Sequence, residues 1–199
     1  MRTLLITGGS SGIGLATVQL FASKGWQVFE LSRSGHSHDS ILHIYCDVTN
    51  EESVELAVQE AMGHTDHLDV VISNAGFGIS GPIEFTSVEE AQKQFDVNFF
   101  GALRLVKSIL PIMRRQRYGR IIFTSSVAAD LSIPYQSFYS ASKSALNALA
   151  LALANEVRQF GVRVSVLMPG DVATGFTDAR EKNISGAEIY TGMHSAVAA

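Results

Sequence analysis

The feature that most constrains the fold is the repeated alternation of short apolar runs with longer helical stretches. The runs predict six strands at Thr3–Thr7, Gln27–Ser32, Ile41–Cys46, Leu68–Ser73, Arg120–Thr124 and Arg163–Leu167. Between them, helices are predicted at about 13–24, 51–62, 88–115 and 139–160. Strands joined through helices pair in parallel under helices on both faces, and apolar runs such as LDVVIS and RVSVLM fit that burial. The sequence therefore predicts an α/β fold with a doubly wound parallel sheet.

Length and composition narrow the class of protein. The chain has 199 residues, 46% of them hydrophobic and 17% charged, which suits one domain with a sizeable core. The net charge is -4 and no basic run occurs, so nucleic acid is not an implied partner. The single cysteine, Cys46, excludes an internal disulfide framework and indicates buried filler in a reducing compartment.

The N-terminal stretch MRTLLITGGSSGIG reaches glycine after too few apolar residues for a signal peptide. No apolar stretch approaches the length of a membrane span. A cytoplasmic location is therefore expected.

Ligands of a doubly wound sheet bind beyond the carboxyl ends of the strands. The segments in that position are GGSSGIG, SRSG, DVTN, NAGFG, SSVAAD and PGDVATGF, where glycine and small polar residues gather. We therefore expect one binding crevice built from these loops.

The first of these loops, Thr7–Gly14, joins the first strand to the first helix. Its glycines follow the spacing G-x-x-x-G-x-G, which permits a tight turn and brings the helix N-terminus against an anion such as a pyrophosphate. The alternatives are a glycine turn without a ligand and, because residues 8–12 match G-x-S-x-G, a hydrolase nucleophile elbow. The hydrolase reading requires strands upstream and a downstream acid and histidine, and the only late histidine is His194.

Five motifs occur together in a recognisable order. They are TGGSSGIG (7–14), NAG (74–76), Asn98 in FDVNFFG, Ser126 thirteen residues before Tyr139 of YSASK, and PGDVAT (169–174). From Leu4 to about Phe176 the chain resembles the short-chain dehydrogenase/reductase family, and most closely its hydroxysteroid- and retinol-reducing branch. The resemblance implies a Rossmann fold, a nicotinamide cofactor and an oxidoreductase.

Tyr139 and Lys143 stand four residues apart, so they share one face of a helix. A phenol has an ordinary pKa near 10, and a nearby ammonium is expected to lower it. Tyr139 is thus the predicted general acid and base, although a tyrosine and lysine at this spacing also occur by chance. The resemblance implies that Lys143 also holds the nicotinamide ribose and that Ser126 orients the substrate oxygen. It implies that Asn98 links Lys143 to solvent through water; alternatively, Asn98 bonds a neighbouring carbonyl.

The end of the second strand bears on the choice of cofactor. Ser32 stands where relatives that use NAD carry aspartate, and Arg33 follows, whose guanidinium suits a 2′-phosphate. Ser11 lacks the second positive charge found in many proteins that use NADP. NADP is therefore preferred and NAD is the alternative. The expected cofactor contacts are Gly8, Ser10, Ser11, Gly12, Ile13, Gly14, Arg33, Asp47, Val48, Asn74, Ala75, Gly76, Tyr139, Lys143, Pro169, Gly170, Val172 and Thr174.

Histidines occur in two pairs, His36 with His38 and His64 with His67, but no cysteine or carboxylate arrangement completes a metal site, so none is predicted. The stretch SALNALALALA is apolar nearly all round, and such a helix must be covered on most sides. We therefore expect a homodimer or homotetramer.

The C-terminal stretch SGAEIYTGMHSAVAA is predicted to be helical. Family members continue into a further strand, so residues 1–199 are expected to be a truncated single cofactor-binding and catalytic domain. Phe77, Ile79, Tyr135 and Phe176 are candidates either for an apolar substrate pocket or for the core.

The leading functional hypothesis is an NADP-dependent oxidoreductase that transfers a hydride between nicotinamide and a carbonyl or secondary alcohol. The alternative is a catalytically silent, dinucleotide-binding regulatory protein, against which the full set of Ser126, Tyr139, Lys143 and Asn98 argues. A hydrolase is the third possibility.

Overall fold

The computed structural model describes residues 1–176 and 179–190 and is organised around a six-stranded sheet. All neighbouring pairs in this sheet are parallel. The strands are β1 (Thr3–Thr7), β2 (Gln27–Ser32), β3 (Ile41–Tyr45), β4 (Val70–Ser73), β5 (Ile79–Ser80), β6 (Gly119–Thr124), β7 (Val162–Leu167) and β8 (Glu181–Lys182). The helices are α1 (Gly12–Ser23), α2 (Glu51–Gly63), α3 (Val88–Phe95), α4 (Gly101–Gln116) and α5 (Ser137–Val157). The predicted α/β class is confirmed.

The strand order determines where a ligand can bind. From β1 the chain proceeds outward through β2 to β3, then crosses to β4 on the other side of β1 and continues to β6 and β7. Successive connections therefore diverge between β1 and β4, which leaves a crevice at the carboxyl ends of these two strands.

The core lies on both faces of the sheet, as the continuous apolar strands predict. On one face Leu5 belongs to a large cluster with residues of α2, α4 and α5, whereas Leu4 and Ile6 belong to a smaller cluster with Val18 of α1. All five residues of β1 are buried. This central burial fixes the position from which the glycine-rich turn begins.

The helix predicted over 88–115 is divided. α3 ends at Phe95, a π-helical turn follows over Asp96–Phe100, and α4 begins at Gly101. The amide of Gly101 donates to the carbonyl of Asp96, five residues earlier. β4 also begins two residues later than predicted, because the amide of Leu68 donates to the Gln116 side chain at 2.9 Å rather than to a strand.

A second, two-stranded sheet was not predicted. In it β5 pairs in parallel with β8, and each strand has two residues. The helix predicted over 185–199 is wrong for residues 185–190, which form turns, since Gly186 adopts φ +76°; residues 191–199 lie outside the described residues. None of the helices within the described ranges is long and apolar enough to cross a membrane.

Candidate active site

Tyr139 and Lys143 lie in the first two turns of α5, facing the carboxyl ends of the strands. Both side chains are buried, Tyr139 with 8% and Lys143 with 4% of its surface exposed. Lys143 Nζ lies 5.8 Å from the centroid of the Tyr139 ring and donates to the carbonyl of Thr124, the last residue of β6, at 2.8 Å. The predicted pairing of a phenol with an ammonium on one helix face is therefore present.

Ser126 follows β6 and brings a third polar group to Tyr139. Its hydroxyl accepts a hydrogen bond from the amide of Ala128 at 3.1 Å and is close enough to the Tyr139 phenol to act on its pKa. The next amide, that of Val127, donates to the carbonyl of Pro169 at 3.1 Å. The loops after β6 and β7 are thereby held together beside the phenol.

The electrostatics of the pair differ from the sequence-based expectation. Burial raises the pKa of Tyr139, while the hydrogen bond with Ser126 and the positive charge of Arg180 act to lower it. Burial lowers the pKa of Lys143 to about 8. The predicted net fall in the Tyr139 pKa is wrong for this structure because desolvation outweighs the favourable contacts.

Asn98 lies in the π-helical turn and is almost completely buried. Its Nδ2 donates to the Phe77 carbonyl and to Ser142 Oγ, both at 3.1 Å, and its Oδ1 accepts from the Phe77 amide at 3.0 Å. The side chain therefore joins the loop after β4 to α5. Its predicted water link to Lys143 stays a prediction.

The glycine-rich turn packs tightly against the loop after β4. Gly8 adopts φ +67°, and a Cβ atom on Gly14 would lie only 2.1 Å from the Gly8 carbonyl oxygen. Asn74 Nδ2 donates to the carbonyls of Thr7 and Gly8 at 3.2 and 2.9 Å, and a Cβ atom on Gly8 would lie 2.8 Å from Ala75 Cα. Only glycine fits at positions 8 and 14, because the backbone segments approach each other too closely to leave room for a side chain.

Around this turn, Ser10, Ser11 and Gly12 are exposed, and Ile13 is half-buried. Ser11 is the N-cap residue of α1, but its side chain makes no capping hydrogen bond. Amides at the N-terminus of a helix attract anions. The exposed turn thus offers a site for phosphate groups.

The ends of β2 and β3 bring Arg33 and Asp47 near each other. Arg33 is exposed. The pKa of Asp47 is lowered chiefly by the Thr49 amide, which donates to its carboxylate at 2.9 Å, and further by the charge of Arg33. Val48 is half-buried beside Gly101, where an added Cβ atom would lie 3.0 Å from it.

Sequence reasoning missed a largely buried, hydrogen-bonded carboxyl–imidazole pair beneath the glycine-rich turn. Glu30 of β2 is opposite His43 of β3, and its Oε2 lies 2.6 Å from His43 Nδ1. A Cβ atom on Gly9 would lie 2.6 Å from Glu30 Cγ, so the carboxylate side chain supports the turn directly. The signal was available, since Glu30 is a charged residue inside an otherwise apolar strand.

The loop after β7 returns to the glycine-rich turn. A cavity of about 420 Å³ lies between α1 and this loop, lined by Gly12, Ile13, Val172 and Thr174 among others. Gly170 is exposed, and a Cβ atom added there would meet nothing within 4 Å. Gly76, after β4, lies against the catalytic candidates, because an added Cβ atom would lie 3.1 Å from Asn98 Oδ1 and 3.5 Å from Lys143 Nζ.

The candidate pocket residues separate into two groups. The Phe176 ring lies 5.7 Å from the Tyr139 ring, centroid to centroid. Ile79 is buried in β5, and the Tyr135 ring packs against that of Tyr190. Phe176 therefore lies beside the phenol, whereas Ile79 is part of the buried interior and Tyr135 packs on Tyr190. The remaining candidate, Phe77, is half-buried, with Lys93 Nζ 5.4 Å from its ring centroid.

Comparisons with known proteins agree with this geometry. The family model described as short chain dehydrogenase matches residues 2–185. A 3-ketodihydrosphingosine reductase of Bacteroides thetaiotaomicron is 44% identical over 185 residues, which are 92% of this chain and 68% of that protein. Retinol dehydrogenase 8 of Bos taurus is 35% identical over 205 residues, covering 94% of this chain and 64% of that protein.

Solved structures share the fold. A short-chain dehydrogenase from Streptomyces avermitilis superposes with a TM-score of 0.90 at 30% identity, covering 99% of this chain and 79% of that one. A Burkholderia phymatum relative in complex with NAD gives 0.85 at 26% identity, covering 100% and 79%. A substituted form of ElxO with NADPH bound gives 0.83 at 27% identity, covering 87% and 75%. Relatives of this fold thus bind a nicotinamide dinucleotide of either kind.

Proposed function

The chain belongs to the short-chain dehydrogenase family of oxidoreductases, and from this premise we propose that it interconverts a carbonyl compound and a secondary alcohol with NADP. Tyr139 is the proposed general acid and base. The observation that carries the proposal is the convergence of Tyr139, Ser126 and Lys143 at the carboxyl end of the sheet, beside the glycine-rich turn.

The proton chemistry follows from the environment of the phenol. When bound, the nicotinamide ring supplies or accepts the hydride. A ketone reduced in this way must also gain a proton on oxygen, and Tyr139 holds that proton because burial raises its pKa. In the oxidative direction the phenol must be deprotonated, which the Ser126 hydrogen bond and the positive charge of Arg180 favour. Ser126 is also placed to orient the substrate oxygen.

Two features support binding of the dinucleotide. The close contact of Gly14 with Gly8 and the uncapped N-terminus of α1 form a cradle suited to a pyrophosphate. NADP is proposed over NAD because β2 ends in Ser32, which has no carboxylate for the ribose hydroxyls, and is followed by the exposed guanidinium of Arg33.

An apolar substrate is proposed because the Phe176 ring packs beside Tyr139, which gives the region around the phenol an apolar wall. We also propose a homodimer or homotetramer. The apolar helix α5 leaves Leu151 67% exposed, and a partner subunit would cover this side chain.

The test is NADPH oxidation, followed by nicotinamide absorbance, with the purified protein and a panel of ketones and aldehydes. Tyr139→Phe should lower the rate by at least about 100-fold while NADPH binding is retained. Tyr118→Phe, which alters an exposed tyrosine between α4 and β6, is the matched control. Full activity in Tyr139→Phe would refute the mechanism, and NADPH binding without turnover of any carbonyl compound would favour the regulatory alternative.

A further inference from the structure

Arg180, between β7 and β8, has a guanidinium whose charge acts on Tyr139 but whose hydrogen-bond donors the mechanism above does not use. Its Nε and Nη1 atoms are both buried and have no hydrogen-bond partner within the part of the chain that the structure describes. Leaving donors of a charged group unpaired in a buried position costs several kcal/mol. Such a group is retained at a binding site when a ligand completes its hydrogen bonds.

The second sheet determines where Arg180 points. The amide of Glu181 donates to the Gly78 carbonyl at 2.9 Å, and Glu181 pairs with Ile79 in the short sheet. The Glu181 carboxylate lies 2.5 Å from Lys93 Nζ on the exposed side. Arg180 precedes this strand, and because its Nε and Nη1 atoms are buried beside Gly78, its side chain is directed inward.

Gly78 makes room for the arginine. A Cβ atom on Gly78 would lie 3.2 Å from Arg180 Cγ, 3.5 Å from Arg180 Nε and 3.6 Å from Phe176 Cζ. The Phe176 ring in turn packs against Tyr139. Arg180, Phe176 and Tyr139 therefore lie around the same space.

The guanidinium is also close enough to the reacting group for its charge to act on the phenol. Burial raises the pKa of Tyr139, and the charge of Arg180 opposes that rise. Lys143, the cation that the sequence suggested for this effect, instead donates to the Thr124 carbonyl. A substrate oxygen that accepts a proton from Tyr139 consequently lies beside a second positive charge.

We propose that Arg180 is a substrate-specificity residue that donates hydrogen bonds to a second oxygen on the substrate, close to the carbonyl that Tyr139 protonates. The substrate class is a carbonyl compound with a neighbouring oxygen acceptor, such as a β-keto ester or a β-keto carboxylate. The inference rests on the proposed function and extends it, since an apolar ketone alone leaves Arg180 unpaired.

The test compares three substrates with NADPH: a β-keto ethyl ester, a β-keto carboxylate, and the dialkyl ketone of the ester's chain length. The unaltered protein should favour an oxygenated substrate over the ketone by at least about 30-fold in kcat/KM, since a site built for a hydrogen bond rejects an analogue that lacks the acceptor. Arg180→Met should reduce that preference to about threefold or less, and Arg180→Lys should restore part of it. Preference for the carboxylate over the ester would identify the acceptor as anionic; the reverse would identify a neutral carbonyl.

Lys182→Met is the matched control, since it removes an exposed cation from the same segment and should leave the preference intact. Thermal unfolding of both variants shows whether the chain remains folded. If Arg180→Met lowers kcat/KM equally for all three substrates, Arg180 is not a specificity residue.

The two proposals can fail separately. If no carbonyl compound is reduced, the proposed function fails, and equilibrium binding of the same compounds to the protein with NADPH then decides the role of Arg180. Tighter binding of an oxygenated compound that disappears in Arg180→Met supports it. Equal binding to both proteins overturns it.

Discussion

The two sides of the site are built differently. On the cofactor side, residues 7–14 and 74–76, backbone segments touch so closely that a Cβ atom on Gly14 would collide with the Gly8 carbonyl. On the proposed substrate side, residues 169–176 and 179–190, Cβ atoms on Gly170 and Gly175 would meet nothing within 4 Å, although one on Gly186 would lie 2.2 Å from Phe85 Cε2. The difference teaches that the glycine-rich turn has no room for an added methyl group, whereas the loop after β7 does.

The largest expected effect tests this contrast directly. Gly14→Ala should lower the free energy of unfolding by about 4 kcal/mol, because the added methyl group must displace backbone, and NADPH binding should fall with it. Gly175→Ala, the matched change on the substrate side, should alter stability by less than about 0.5 kcal/mol. Chemical denaturation and a fluorescence titration with NADPH measure both. Comparable losses in the two variants would remove the distinction between the sides.

Lys143 provides a pH test of burial on the catalytic helix. Its pKa in the folded chain is about 8, below the ordinary 10.5. Between these values the unfolded state binds more protons, so the free energy of unfolding should rise with pH. Relative to the Lys143→Met variant, the free energy of unfolding of the unaltered protein should rise by up to about 3 kcal/mol between pH about 7 and pH about 10.5. Lys107→Met, at an exposed ion pair with Glu51, should show no such trend.

Substitution of two asparagines allows the hydrogen bonding of the two regions to be compared: Asn98 bonds the loop after β4, and Asn183 lies on the substrate side. Asn98→Ala leaves the Phe77 amide and carbonyl without their partner and should lower the free energy of unfolding by about 2 kcal/mol. Asn183→Ala, which removes the 2.9 Å bond to the Phe85 carbonyl, should cost about 1 kcal/mol or less. Urea denaturation of the two variants ranks them. A reversed ranking would mean that the substrate side is the more strongly bonded.

The smallest expected effect concerns the choice of cofactor. Arg33→Asp should reduce the preference for NADPH over NADH by about tenfold, since a carboxylate repels a 2′-phosphate and bonds ribose hydroxyls. Arg115→Asp, at an exposed position on α4, is the control. The ratio of dissociation constants measures the change, and a constant ratio would show that Arg33 does not select the cofactor.

The sheet could be predicted because its signal is local. Each long strand is a run of apolar residues. The loops after the strands supplied the glycine-rich turn and Ser126, and Tyr139 was placed on the helix that follows Ser126. β5 and β8 have two residues each and pair Ile79 with Glu181. Such short strands have no hydrophobic periodicity from which they could be predicted. The division between α3 and α4 was missed for a similar reason, since a π-helical turn hardly alters the hydrophobic pattern.

The roles of individual charges were harder to predict because they depend on distant contacts. Spacing along one helix placed Lys143 near Tyr139, but it could not show that desolvation outweighs charge or that Lys143 bonds the Thr124 carbonyl. Arg180 reaches the phenol only through the pairing of β5 with β8. Glu30 and His43 were within reach of prediction, because parallel register places them opposite each other.

The wide turn at Asp96–Phe100 has a consequence for how this chain can vary over evolutionary time. Successive residues of a regular helix are rotated by about 100°. Deletion of one residue here would restore regular helical hydrogen bonding. The same deletion would rotate Asn98 away from the Phe77 backbone, to which it is now hydrogen-bonded. The length of this turn and the hydrogen bonds between Asn98 and Phe77 are therefore expected to be kept together or lost together during evolution.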